Sequence, residues 1–142
     1  MTADTATLAS LYREVILTHC AAPVGLGKPI EPTHRAARTN PLCGDDIEVQ
    51  LRIQNGRIED AAFSGEACAI CLASASLLCE HLPGRADADI ALILGGFRRG
   101  VTTADAATCP GYLQALLGVR AFPARIACAT LPWETAVAAL KP

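Results

Sequence analysis

The sequence predicts an α+β fold in which a short antiparallel hairpin sits among helices. Three observations carry this. Ile47, Val49, Leu51 and Ile53 alternate with Glu48, Gln50, Arg52 and Gln54, the period of a strand with one buried face. Asn55-Gly56 follows at once, and both residues tolerate the positive φ of a two-residue type I′ turn. On either side of the hairpin the apolar residues recur three and four apart, the helical period.

Taken in order, Leu8, Leu11, Tyr12, Val15, Ile16 and His19 predict a first helix, with Asp4 or Thr5 as its N-cap and His19 at its rim. Residues 21–41 carry four prolines and read as an irregular connection. Pairing outward from Asn55-Gly56 sets Ile53 opposite Ile58 and Arg52 opposite Glu59. Leu51 then faces Asp60, a mismatch that predicts either a bulge or a functional carboxylate. Ser64-Gly65-Glu66 ends the second strand and opens a helix to about Leu82, stopped by Pro83-Gly84. Ala69, Ile70, Leu72, Ala73, Ala75, Leu77 and Leu78 cover most of its circumference, so it should be largely buried.

Asp87 reads as the cap of another helix through Ile90, Ile93, Leu94 and Phe97. Residues 100–109 read as a loop, followed by a short helix over 110–117 closed by Gly118. A last segment starts at Pro123, a favoured first helical residue. Pro132 cannot donate to the Cys128 carbonyl, which predicts a kink or a restart.

With 142 residues, half of them hydrophobic and few aromatic, residues 1–142 are expected to form one domain with an Ala, Leu, Ile and Val core. A formal charge of −2 supplies no general basic surface for nucleic acid. Met1-Thr2-Ala3-Asp4 lacks the basic region of a signal peptide. The longest uncharged apolar run, 67–79, is shorter than the roughly 20 residues that span a bilayer. A cytoplasmic protein is expected. There, seven cysteines point to metal ligation, thiol chemistry or small buried hydrophobes rather than to disulfides.

Cys43, Asp45, Cys68 and Cys128 offer three soft thiolates and a hard carboxylate that a compact fold could gather round one tetrahedral metal, zinc or iron. Each also has a plainer reading. Cys43-Gly44-Asp45 makes a turn, and Cys68 and Cys128 fit a core as small residues. Cys68 opens a helix, where the dipole favours a thiolate, and Arg125 stands beside Cys128. Cys71 completes a C-x-x-C with Cys68, as a spare ligand or sulfur acceptor. No second C-x-x-C makes a zinc ribbon, and an antiparallel hairpin is the wrong setting for a thioredoxin motif. Cys20 and Cys79 read as packing residues, and Cys109 as exposed in a loop. His19, His34 and His81 are scattered, and Gly25-Leu26-Gly27-Lys28 lacks the first glycine and the Ser or Thr of a phosphate loop.

The chain resembles the SufU branch of the NifU/IscU iron–sulfur assembly proteins. The likeness runs through Leu11-Tyr12-Arg13, Asn40-Pro41-Leu42-Cys43-Gly44-Asp45 and Glu59-Asp60-Ala61-Ala62-Phe63-Ser64-Gly65-Glu66-Ala67-Cys68. It continues in Ala73-Ser74-Ala75-Ser76 and in Phe122-Pro123-Ala124-Arg125-Ile126-Ala127-Cys128-Ala129-Thr130-Leu131-Pro132-Trp133. It implies a small antiparallel sheet of about three strands with helices packed on one side. It also implies a metal site at Cys43, Asp45, Cys68 and Cys128. In the SufU branch that site holds zinc and takes persulfide sulfur from a SufS-type cysteine desulfurase, whereas the IscU branch assembles a [2Fe–2S] cluster there. The segment 96–118 resembles the SufU insertion, and Ala127 stands where IscU-type chains have a histidine. Ala67 and Cys71 depart from the usual glycine and serine.

The expected function is therefore iron–sulfur cluster assembly as a zinc-bound sulfurtransferase. A desulfurase residue takes the place of Cys43 on zinc, and the freed thiolate accepts the sulfur while Arg125 steers it. Downstream iron–sulfur assembly or acceptor proteins would receive it. The alternatives are a [2Fe–2S] scaffold without turnover, and a structural zinc protein.

Overall fold

The computed structural model describes residues 3–103 and 105–141, with side chains from residue 9 onward. The backbone is already helical at Asp4 and Thr5, so the helix begins before the caps expected there; the side chain of Leu8 lies outside the described side chains. Helix α1 (Ala3–Ala21) packs Tyr12, Val15 and Ile16 on the core. His19 Nδ1 reaches across to Ser76 Oγ at 2.6 Å.

The connection after α1 is not irregular throughout. His34–Asn40 forms strand β1, an edge strand absent from the sequence reading. Its residues turn only Asn40 fully inward, so no alternation announces it. What holds it is a continuous antiparallel ladder to β2 (Asp45–Gln54), from His34 opposite Leu51 to Asn40 opposite Asp45.

Strand β3 (Arg57–Glu66) pairs antiparallel with β2 on the other side, giving the order β1-β2-β3. Asn55 and Gly56 have φ of 54° and 74°, the positive values that the two-residue turn requires. Ile53 faces Ile58 as expected, but the register then shifts, setting Arg52 opposite Asp60 and Leu51 opposite Ala61. The extra residue is Glu59, so the mismatch at Leu51 resolves as a bulge. Arg52 Nε still reaches Glu59 Oε1 at 3.1 Å, and Asp60 binds Lys28 Nζ at 2.8 Å. The outer edge of β3 is covered where the Phe63 N–H donates to the Gly25 carbonyl at 3.0 Å and Gly27 N–H to that of Phe63 at 2.8 Å.

Helix α2 (Ala69–His81) is buried from Ala73 to Cys79 without a break, as its apolar circumference predicts, although Ala69 itself is exposed. Its buried hydroxyls are satisfied: Ser74 Oγ donates to the Ala129 carbonyl at 2.6 Å and accepts from Trp133 Nε1 at 3.2 Å. Helix α3 runs over Asp89–Thr103, two residues later than the cap expected at Asp87 and into the stretch read as a loop. Gly100 does not end it, because the missing Cβ is what admits Leu117, whose Cδ2 would lie 2.7 Å from one.

Helix α4 spans only Gly111–Gln114 and continues as a 3₁₀ helix over Ala115–Ala121, so Gly118 closes nothing. A Cβ on Gly118 would sit 2.8 Å from the Tyr12 ring, which makes it a packing residue too. A 3₁₀ turn, Pro123–Arg125, leads into α5 (Ile126–Ala139), which passes Pro132 without restarting. Trp133 is fully buried right after it, and Thr135 Oγ1 donates to the Leu131 carbonyl at 2.7 Å in the turn that follows.

α5 lies against β1 and β2, and α2 lies between α5 and α1 with its near end on β3. Ile47, Val49, Leu51, Ala61 and Phe63 meet these helices in one core. No described helix is long and apolar enough to cross a membrane. Gly65 has φ of 120°, and a Cβ there would overlap the Asp46 carbonyl. Gly65→Ala is expected to cost about 2 kcal/mol, lowering Tm by about 5 °C, with Gly111→Ala near neutral as the control. Thermal melts of both variants check this.

Candidate metal centre

The site begins at the tip of the β1–β2 hairpin. The Asn40 carbonyl accepts the N–H of Cys43 at 3.2 Å and of Gly44 at 2.9 Å, and Gly44 turns the chain at φ of 73°. That tight turn aims Cys43 and Asp45 inward and leaves Leu42, between Pro41 and Cys43, 89 % exposed. Asp45 is 1 % exposed, and its Oδ1 accepts the Cys68 N–H at 2.7 Å.

Cys68 is the N-cap of α2, with its Sγ accepting the Cys71 N–H at 3.5 Å. Cys128 is buried in the first turn of α5, its Sγ 2.6 Å from that of Cys43.

Donor atoms of Cys43, Asp45 and Cys128 all lie within 4.8 Å of one another. Cys68 stands at the margin of this trio, its Sγ 3.8 Å from Asp45 Oδ2. Metal–sulfur bonds of about 2.3 Å in a tetrahedron set neighbouring ligands roughly 4 Å apart, so the donor types suit such an ion, and the Cys43 and Cys128 sulfurs, 2.6 Å apart, would spread to hold it. Burial, then hydrogen bonding with Cys43, Asp45 and Cys68, pushes the Cys128 thiol well above its ordinary pKa. A bound cation would reverse that preference by taking the proton's place.

Arg125 is exposed and borders a groove of about 320 Å³ with Tyr12, Cys68, Ala69, Ile70 and Phe122. A side-chain hydrogen bond with Cys128, and then the charges of Cys68, Cys128 and Cys43, raise its pKa further.

The remaining cysteines stand apart. Cys71 is fully buried and its pKa is pushed far up by burial and then by Asp45, Cys68 and Cys43. Cys79 is buried, and burial followed by Asp60 pushes it up to about 12. Cys109 was expected to be exposed but is buried, and burial pushes it up to about 11. Cys20 is half-buried, its Sγ on the Ala69 carbonyl at 3.4 Å. One residue at the site has no chemical signal in the sequence. Asn40 is a polar strand-end residue, yet its Nδ2 lies 3.5 Å from Cys43 Sγ and 3.8 Å from Cys128 Sγ.

Residues 11–94 match the profile of the NifU-like N terminal domain. The chain belongs to the NifU-like N-terminal domain family. It is 38 % identical over 133 residues to the zinc-dependent sulfurtransferase SufU of Bacillus subtilis, covering 91 % of this chain and 88 % of that one. It is 31 % identical over 133 residues to the iron–sulfur cluster assembly scaffold protein IscU of Streptococcus pyogenes, covering 92 % and 83 %. In fold it is similar to the N-terminal NifU-like protein of Brucella abortus, with a TM-score of 0.83 at 22 % identity over 92 % of both chains. The family and the sheet-and-helix fold are those that the sequence resemblance implied.

Two outcomes are expected of this NifU-like chain. Brief iodoacetamide treatment of the native, chelator-treated protein should label Cys43 and Cys68 while Cys71, Cys79 and Cys109 stay unmodified until denaturant is added. Peptide mapping checks this. Stability should also fall as pH rises above 9.0, where unfolded thiols ionise but buried ones do not, continuing to about 11 for Cys109 and about 12 for Cys79. Urea titrations across that range check it, and Cys79→Ala should flatten the slope.

Proposed function

We propose that this NifU-like protein works in iron–sulfur cluster assembly as a zinc-dependent sulfur acceptor, with Cys43 as the accepting thiol. The convergence of Cys43, Asp45 and Cys128 within 4.8 Å, with Cys68 beside Asp45, supports this reading above all else. The similarity to SufU supports zinc as the ion. Bound at Cys43, Asp45, Cys68 and Cys128, zinc would keep the three thiols deprotonated at neutral pH, in a complex whose net charge is −2.

Cys43 suits the acceptor role because of where it sits. Its turn, 41–44, is exposed at Pro41, Leu42 and Gly44, whereas Cys68 and Cys128 are fastened to buried helices. Its thiolate attacks the terminal sulfur of a persulfide on a cysteine desulfurase. A Cys43–sulfur bond forms, the donor's sulfur–sulfur bond breaks, and the desulfurase cysteine leaves as a thiolate. Arg125, exposed beside the groove, steers the anionic persulfide. Asp45, pinned by the Cys68 N–H, stays in place throughout. In this reading residues 1–142 act as one domain in the cytoplasm and pass sulfur to downstream assembly or acceptor proteins.

A second reading, a scaffold that builds and releases a [2Fe–2S] cluster, draws support from the similarity to IscU. Three thiolates and a carboxylate serve iron as well as zinc. Anaerobic reconstitution with iron and sulfide separates the two readings. A stable visible chromophore supports the scaffold, and zinc retention with persulfide on the protein supports the acceptor. After incubation with desulfurase and cysteine, the wild type is expected to gain about 32 Da, one sulfur, on Cys43. If Cys43→Ala gains that mass elsewhere as fast as the wild type, the assignment of Cys43 fails.

A further inference from the structure

Asn40 ends β1 and is 7 % exposed, a buried amide without a charged partner. Its Oδ1 accepts the Leu42 N–H at 3.2 Å, and that bond decides which end of the amide is oxygen. The NH₂ end therefore faces the sulfurs of Cys43 at 3.5 Å and Cys128 at 3.8 Å. An amide nitrogen carries two hydrogens, so it serves both sulfurs at once. The same residue's main-chain carbonyl holds the N–H groups of Cys43 and Gly44.

We propose that Asn40 is a positioning residue that sets how readily Cys43 leaves a metal bound here, by sharing its two N–H groups between Cys43 and Cys128. The inference rests on the reading above that these cysteines hold a metal. Donors to ligand atoms stabilise the negative charge that a thiolate-rich set accumulates. With Cys43 in place, one N–H is spent on it. When its side chain swings away, the other N–H stays on Cys128, and the main-chain bonds at Asn40 keep the turn folded. Asn40 thus resists the departure of Cys43 without letting the loop collapse after it.

Two substitutions isolate the donor. Asn40→Ala removes the N–H groups without adding charge, and Asn40→Asp removes them while keeping an oxygen for the Leu42 N–H. The loss that they share is the donation to sulfur. In the full-length chain, both are expected to release zinc to a chromogenic chelator about 10-fold faster than the wild type. In the cobalt-loaded forms, both should move the sulfur-to-cobalt charge-transfer band to lower energy, since an undonated thiolate gives up its electrons more readily.

If Asn40→Asp matches the wild type in both measurements while Asn40→Ala does not, Asn40 only caps the turn and the proposal is overturned. Unchanged release and an unchanged band in both variants overturn it as well. A wild type that takes up neither zinc nor cobalt overturns the metal reading and this inference with it. Failure of the variants alone leaves that reading standing.

Discussion

One hydrogen bond, from the half-buried Cys68 N–H to the buried Asp45 carboxylate at 2.7 Å, joins the two halves of the site. It satisfies an orphan donor at the start of α2 and places a negative charge at that helix's positive end. A charge-assisted bond of this kind is worth about 1.5–3 kcal/mol. Its larger effect is geometric. The hairpin tip, which carries Cys43, becomes anchored to the helix start that carries Cys68, although 23 residues separate Asp45 from Cys68.

The third piece is held from behind. Ser74 in α2 donates to the Ala129 carbonyl, one residue after Cys128, and accepts from Trp133 in the next turn of α5. A large residue at position 74 would push the two helices apart, and an alanine would orphan the Trp133 N–H. The small residues of α2 thus serve the candidate metal centre as much as the core. They bring α5 close enough for the Cys128 sulfur to meet that of Cys43.

The parts of the fold legible in the sequence were those decided by near neighbours. Strand alternation in β2, the Asn55-Gly56 turn and the apolar girth of α2 each rest on contacts within a few residues or on plain burial. What was hidden depends on distant partners. β1 has almost no apolar face and exists because β2 offers it a ladder. Gly100 and Gly118 look like terminators, but they are thin places in helices where Leu117 and Tyr12 press in. At the site, Cys43, Asp45 and Cys128 could be picked out by residue type, and the structure gathers their donor atoms. Asn40 could not, because its only distinction is burial beside two sulfurs. Cys109 misled for the converse reason: a Thr-Cys-Pro stretch looks like loop surface, yet Thr108 packs on Gly96 of α3 and Cys109 is buried beside it.

The contact between Gly118 and Tyr12 has a reach beyond packing. Tyr12 stacks on Phe122 with ring centres 6.4 Å apart, and both rings wall the groove beside Cys68 and Arg125. A bulkier side chain at position 118 would tilt the first ring and, through it, the second. The mouth of the groove would be recut while every sulfur stayed where it was. Gly118 thus shapes a groove that it does not itself line.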